Sequence, residues 1–92
     1  MLNLMLNPAE RKALRARAHK LEPVVMIGGK GLTDEVIAEI DRALTAHELI
    51  KVRAAGLERE AREEAFSAIC RKTAAEAVQR VGKICVIFRK RP

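Results

Sequence analysis

The chain has 92 residues, of which 18 are lysine or arginine and 12 are aspartate or glutamate, so its formal net charge is +6. This length supports one modest hydrophobic core, and we expect residues 1–92 to form a single domain. The basic excess favours a polyanionic partner. The apolar start gives way to Asn7-Pro8 before it reaches the length of a signal peptide or a membrane span. We therefore expect a cytoplasmic protein with no membrane partner.

A first helix is predicted to begin at Pro8, because Asn7, Pro8 and Glu10 suit the N-cap, first and third helical positions. Apolar residues recur at helical spacing as far as Leu21, and Pro23 is expected to end the helix. Three basic residues lie beside one another on this helix, offset from its apolar stripe: Arg11, Lys12 and Arg15. They form either a solvated face or part of a binding surface.

A short strand and a glycine-rich loop follow the first helix. The β-branched run from Val24 to Ile27 predicts the strand, and the loop is the GxxG segment Gly28-Gly29-Lys30-Gly31. Its glycines permit positive φ and let a ligand approach the backbone closely. Thr33 can cap the next helix, whose free N–H groups favour an anion. The loop is therefore either a phosphate-binding site, with Lys30 adding positive charge, or only a tight turn.

The remaining pattern predicts a second helix to about His47, a strand over 49–54, a third helix over 59–73 and a hairpin of strands 78–81 and 84–88. A strand, helix and strand in this order favour parallel pairing of the first two strands. The third helix presents one face to the sheet, formed by Ala61, Ala65, Phe66, Ile69 and Cys70.

The second predicted strand alternates apolar and basic residues. Ile50, Val52 and Ala54 lie on one side, and the other side carries Lys51 and Arg53. This alternation indicates a strand that buries one face and exposes a positively charged one.

The sequence lacks the spacing of common catalytic and metal sites. It contains no GxxxxGK[ST] segment, no HExxH and no CxxC. Ser67 and Cys70 have no histidine nearby in sequence that could activate them. Cys70 and Cys85 are expected to be free and buried, since a basic intracellular domain seldom carries a disulfide. We expect no catalytic residue, no metal and no cofactor.

Taken together, the chain resembles the CRM domain family, named for chloroplast RNA splicing and ribosome maturation. The resemblance covers nearly the whole chain, and its landmarks are Leu21-Glu22-Pro23-Val24-Val25, Gly28-Gly29-Lys30-Gly31-Leu32-Thr33, His47-Glu48-Leu49-Ile50-Lys51-Val52 and Val81-Gly82-Lys83. It implies an α/β two-layer sandwich in which an N-terminal helix precedes βαβαββ and the four-stranded sheet is mixed, similar to the C-terminal domain of translation initiation factor three. It also implies binding to RNA, with ribosomal RNA of large-subunit precursors as the partner.

The family's GxxG loop assigns four residues to the RNA-binding site: Gly28, Gly29, Lys30 and Gly31. The basic residues expected around it are Lys51, Arg53, Arg11, Lys12, Arg15 and Arg89. The chain departs from the family where a Thr-Gly pair commonly ends the third helix, since it has Thr73-Ala74-Ala75. Losing a glycine cap predicts that the helix runs on and the third strand begins later. Whether Gln79 or Arg80 faces RNA is therefore open.

The chain has no Trp or Tyr, and its two aromatic residues, Phe66 and Phe88, are expected to be buried. Binding through phosphates and RNA shape is therefore expected, with structured RNA preferred over a free single strand. Two alternatives remain open. The protein could be an interaction module that docks on ribosomal proteins or assembly factors through the acidic face of the third helix, or it could bind DNA nonspecifically. We expect a monomer.

Overall fold

A computed structural model describes residues 6–91. It contains seven elements, in the order α1 (Pro8–Ala18), β1 (Pro23–Met26), α2 (Asp34–His47), β2 (Leu49–Arg53), α3 (Arg59–Thr73), β3 (Glu76–Val81) and β4 (Ile84–Phe88). The predicted order of a first helix followed by βαβαββ is therefore confirmed. None of the helices within residues 6–91 is long and apolar enough to cross a membrane.

The four strands form one mixed sheet in the order β1-β2-β4-β3. β1 pairs with β2 in parallel, as the strand-helix-strand pattern predicts, and the other two pairings are antiparallel. The main core lies between one face of the sheet and the helices α2 and α3, with Ile40, Leu44, Ile50 and Phe66 almost fully buried. The predicted α/β layering and the burial of Phe66 are confirmed.

Helix α1 covers part of the opposite face of the sheet. Its residues Leu14 and Ala18 form a second buried cluster with Leu49, Val78 and Val86, against which half-buried side chains such as Phe88 also pack. The helix contacts β2 and β3 through Leu49, Val78 and Val86, whereas Arg53 and Val81, at the end of the sheet that carries the GxxG loop, remain exposed. One part of this face is therefore packed against α1, and the part next to the GxxG loop is exposed to solvent.

The two ends of α1 differ in how well the sequence predicts them. Its start has the predicted capping box, in which the Asn7 side chain accepts from the Glu10 N–H at 2.7 Å and the Glu10 carboxylate accepts from the Asn7 N–H at 3.0 Å. The prediction that it continues to about Leu21 is wrong, since it ends at Ala18. The chain must turn there to pass from above the sheet into the edge strand β1.

The end of α3 contradicts the expectation that the helix runs on. It ends at Thr73, and Ala74 takes the left-handed conformation with φ 59° and ψ 32° while its N–H donates to the carbonyl of Cys70. β3 then begins at Glu76, earlier than predicted, because Glu76 already pairs with Phe88 of β4. Sheet pairing thus imposes a sharp turn that local sequence does not favour.

A related prediction about α3 is also wrong. Ala61 is exposed, because the buried stripe of this helix begins one turn later, at Ala65. The bounds that the sequence pattern predicts for this helix, Arg59–Thr73, are confirmed, and only the extension expected from the missing glycine is wrong.

The left-handed Ala74 leads to a stability prediction. Ala74→Gly should raise the free energy of unfolding by about 0.5 to 1 kcal/mol, because a Cβ atom disfavours this conformation. Ala38, an exposed residue inside α2, provides the control: Ala38→Gly should lower stability by about 1 kcal/mol. Urea unfolding of both variants would measure the two shifts, and a loss of stability in Ala74→Gly would contradict the assignment of strain to this turn.

Candidate nucleic-acid interface

The GxxG segment forms a hydrogen-bonded turn at the end of β1. The Gly31 N–H donates to the Gly28 carbonyl at 3.0 Å. Gly31 has φ 78°, a backbone conformation that residues with a Cβ atom rarely adopt. Gly28, Gly29 and Lys30 are exposed. The turn therefore presents both backbone and the Lys30 ammonium to solvent, as a phosphate-binding loop requires.

Gly56, in the loop between β2 and α3, supports this turn from behind. A Cβ atom on Gly56 would lie 2.7 Å from the Gly29 nitrogen and 2.8 Å from the Gly28 carbonyl carbon, closer than two such atoms can approach. A Cβ on Gly28, by contrast, would meet nothing within 4 Å. Gly56 is thus a glycine of the site that sequence reasoning missed, because its requirement comes from a contact between two loops.

Backbone pairing brings two further cations to the same end of the sheet. The Ile27 N–H, just before the turn, donates to the Arg53 carbonyl at 2.7 Å, and the Ala54 N–H donates to the Lys83 carbonyl at 2.8 Å. Lys30, Arg53 and Lys83 are all exposed and come from three separate segments. We call these three residues the basic cluster.

Lys83 is the member of the basic cluster that the site prediction missed. It lies in the hairpin turn between β3 and β4 and reaches the site only because β4 pairs with β2. The hairpin itself was predictable, but its partner strand in the sheet was not.

The start of α2 is less suited to an anion than the sequence suggests. The Thr33 hydroxyl accepts from the Val36 N–H at 3.2 Å, which confirms the predicted cap. Two exposed carboxylates, Asp34 and Glu35, occupy the first turn and already complement the helix dipole. An incoming phosphate would meet their negative charge, so the loop and the basic cluster are better placed to bind it.

Lys51 lies on the same face of the sheet as Arg53. In the β2–β4 ladder Lys51 is opposite Val86 and Arg53 is opposite Ile84, and opposing residues project to one face. Lys51 is half-buried and Arg53 is exposed. The predicted alternation of this strand is therefore confirmed, and both cations share the face that α1 only partly covers.

The three basic residues of α1 differ in their surroundings. Arg11 is half-buried and donates to the carbonyl of Ala77 in β3, so part of its hydrogen-bonding capacity is used within the protein. Arg15 is half-buried and Lys12 is exposed. All three lie on the helix that packs on the same face as Lys51, and Lys12 is the residue of the three that is most exposed to solvent.

The register of β3 answers which of two polar residues shares this face. Gln79 is opposite Val86 and therefore projects to the same side as Lys51. Arg80 is opposite Cys85, on the side of α2 and α3, and its guanidinium donates to the Ser67 hydroxyl at 3.2 Å. Only Gln79 joins the candidate interface.

Arg89 does not join the other predicted site residues. Its guanidinium makes four hydrogen bonds, two of them to Asp41 through the carboxylate at 2.6 Å and the backbone carbonyl at 3.0 Å. The others go to the Thr73 carbonyl at 2.8 Å and the Thr45 hydroxyl at 3.0 Å. The side chain is only 19% exposed and joins the ends of α2 and α3, away from the GxxG turn.

This geometry predicts that Arg89 acts on stability. Arg89→Ala should lower the free energy of unfolding by about 1 to 3 kcal/mol, because it leaves a helix-end carbonyl and a carboxylate without their charged donor. Lys90→Ala, at the exposed neighbouring position, should change it by less than about 0.5 kcal/mol. Denaturant melts of the two variants test this, and equal melts would show that the Arg89 network contributes nothing.

The two cysteines are free thiols and Cys85 is buried, as predicted, whereas Cys70 is only half-buried. Burial is the main cause that raises the pKa of the Cys85 thiol to about 12. Burial also raises the pKa of the half-buried Cys70 thiol. Both therefore stay protonated near neutral pH and are poor nucleophiles. Within residues 6–91 no group of three or more His, Cys, Asp or Glu side chains is arranged to hold a metal ion.

Comparison with known proteins places this architecture in a family. Residues 6–89 match the model of the CRS1 / YhbY (CRM) domain. The chain therefore belongs to the CRM domain family, and the resemblance seen in the sequence is confirmed.

Proteins similar to this chain come from several bacteria. An RNA-binding protein of Haemophilus influenzae is 49% identical over 84 residues, which cover 91% of this chain and 85% of that protein. A probable RNA-binding protein of Pseudomonas aeruginosa is 37% identical over 89 residues, covering 97% and 86%. The solution structure of a Staphylococcus aureus protein, a candidate RNA-binding protein, superposes with a TM-score of 0.82 at 32% identity and covers 96% of this chain and 92% of its own.

Proposed function

We propose that this protein is a non-enzymatic, cytoplasmic RNA-binding protein that contacts structured ribosomal RNA through the GxxG turn and the basic cluster. We further propose that its partner is RNA of large-subunit precursors and that it assists their assembly. The observation that carries the proposal is the convergence of Lys30, Arg53 and Lys83 beside an exposed glycine turn. Two relatives that are similar over most of their length are named an RNA-binding protein and a probable RNA-binding protein, which supports RNA as the partner.

The chemistry of the site favours contact with the phosphate backbone. Flexible cations and exposed N–H groups bind phosphate oxygens and do not distinguish bases. The chain also lacks the Trp and Tyr residues on which sheet-based RNA modules stack bases. Recognition of a folded RNA by the positions of its phosphates is therefore the mode that these residues can provide.

The alternative, a protein partner on the acidic face of α3, has weaker support. Two of its carboxylates already pair with arginines, Glu63 with Arg59 at 3.3 Å and Glu64 with Arg71 at 3.8 Å. Such a face is mixed in charge and typical of a solvated helix surface. Binding to ribosomal proteins without RNA would nevertheless favour this alternative.

A salt series tests the phosphate-centred mechanism. The logarithm of affinity for a structured RNA should fall linearly with the logarithm of salt concentration, with a slope of about 0.7 to 0.9 per phosphate contacted. Changing paired bases while keeping the RNA fold should matter little. An affinity that does not respond to salt, or a preference above about 2 kcal/mol for one paired sequence, would contradict it.

Crosslinking in cells tests the identity of the RNA. RNA attached to the protein under ultraviolet light should be enriched in large-subunit ribosomal RNA that still carries precursor ends. Enrichment of messenger or transfer RNA instead would leave RNA binding intact but overturn the ribosomal assignment.

A further inference from the structure

One row of side chains crosses the whole sheet on the face that α1 leaves partly uncovered. Strand register places Met26 of β1 beside Arg53 of β2, Arg53 beside Ile84 of β4, and Ile84 beside Val81 of β3. Neighbours in such a row have Cβ atoms about 5 Å apart. The row therefore forms a continuous strip of about 15 Å with an arginine between apolar side chains.

This strip is open to solvent among the described residues. Met26 is 61% exposed and Val81 is 58% exposed, and these are two of the three large apolar residues that residues 6–91 expose. Ile84 between them is half-buried. Single exposed apolar residues are common, but here they are aligned on one face and contiguous through the Arg53 side chain. The alignment indicates a contact surface.

The position of the strip also says what would fit it. Arg53 lies within it, Lys83 comes two residues after Val81 in the hairpin turn, and the GxxG turn with Lys30 begins two residues after Met26, the last residue of β1. An occupant must therefore combine an apolar surface with negative charge close by. An unpaired nucleotide combines the two, because the flat faces of its base are largely apolar and its flanking phosphates are anionic.

We propose that the strip binds a single unpaired base of the RNA, such as a bulged nucleotide, while the basic cluster binds the flanking phosphates. The flat face of the Arg53 guanidinium stacks on the base, while its N–H groups, which lie in the plane, still donate to a phosphate. Met26, Ile84 and Val81 pack around the base. Every base has such a flat face, so the strip selects an unpaired nucleotide and not a particular base. This inference rests on the proposed function and names the feature of the RNA that the site would recognise.

Two RNA hairpins test the inference directly. One is fully paired, and the other is identical except for one unpaired adenosine in the stem. The parent protein should bind the bulged hairpin about five- to tenfold more tightly. Met26→Thr combined with Val81→Thr should remove this preference and leave affinity for the paired hairpin unchanged, because threonine removes the apolar surface but is β-branched and suits a strand.

Two further variants make the test specific. Arg53→Lys keeps the charge but removes the planar group. The difference in log affinity between the bulged and the paired hairpin should therefore fall by at least half. Val24→Thr is the matched control, because Val24 is 47% exposed but lies outside the row, and it should keep the full preference. Replacing the bulged adenosine by uridine should change the preference less than replacing it by an abasic site.

The outcomes separate this inference from the proposed function. Equal binding of the two hairpins by the parent, or an unchanged preference in the double threonine variant, would overturn the inference and leave phosphate binding intact. Loss of binding to ribosomal proteins in the double variant, with unchanged RNA preference, would also overturn it and assign the strip to a protein partner. Failure of the parent to bind either hairpin would contradict the proposed function itself.

Discussion

Replacing the three members of the basic cluster with alanine should weaken binding to structured RNA roughly a hundredfold at moderate salt. The variant is Lys30→Ala, Arg53→Ala and Lys83→Ala. Each exposed cation contributes about 1 kcal/mol when it contacts a phosphate, and three such losses multiply to this order. The slope of log affinity against log salt should fall by about 2 to 3, since three phosphate contacts disappear.

A second triple variant controls for the change in net charge. Arg42, Lys72 and Lys90 are exposed and lie in α2, in α3 and after β4, away from the GxxG turn. Their replacement by alanine lowers the formal charge by the same amount, from +6 to +3. It should weaken binding only a fewfold, through the general field of the protein. If both triple variants bind RNA alike, attraction depends on total charge and the basic cluster is not a site.

Lys51 and Lys12 provide a graded comparison within the same surface. Lys51 is half-buried on the sheet face beside Arg53, whereas Lys12 is exposed on α1. If the RNA extends from the GxxG turn over α1, alanine at either position should lower the salt slope by about 1. The result would define how far the bound RNA reaches.

The helices α2 and α3 show what local sequence can predict. Helix α2 is capped by Thr33 and ends at His47, and helix α3 spans Arg59–Thr73, as predicted. These signals act within a few residues, through capping and through apolar spacing, so they can be recognised without knowing the fold. The GxxG loop can be recognised in the same way, because its four residues are consecutive in the sequence.

The remaining features depend on contacts between distant segments. Lys83 reaches the site through the pairing of β4 with β2, and Arg89 leaves it because Asp41 and Thr73 capture its guanidinium. In the sequence, Lys83 and Arg89 are both basic residues next to a predicted strand, and nothing there distinguishes their roles. Only the fold shows which charges have acceptors within the protein and which face solvent.

Ala74 is a case in which tertiary structure overrides a correct local rule. The rule that a glycine favours the end of a helix predicts a longer α3 when glycine is absent. Pairing of Glu76 with Phe88 instead holds Ala74 in the left-handed region. The ladder between β3 and β4 supplies more free energy than one unfavourable residue costs, which is about 1 kcal/mol.

Gly56→Ala should disable the proposed RNA site without changing any of its charged residues. The added methyl group would lie 2.7 Å from the Gly29 nitrogen and 2.8 Å from the Gly28 carbonyl carbon, so one of the two loops must move. Forcing such a contact costs about 1 to 3 kcal/mol of stability. Because the GxxG turn is one of the two segments in this contact, we expect affinity for structured RNA to fall at least tenfold.

Gly28→Ala is the matched control for this last variant. Its methyl group meets nothing within 4 Å, and Gly28 is not among the residues with positive φ, so thermal and urea melts should match those of the parent. The two substitutions therefore separate support of the turn from contact with its surface. A stable Gly56→Ala protein that binds RNA like the parent would show that the turn is not held by the loop behind it. A loss of affinity in Gly28→Ala without a loss of stability would instead place the bound phosphate directly against the turn, because only the approach to the backbone would have changed.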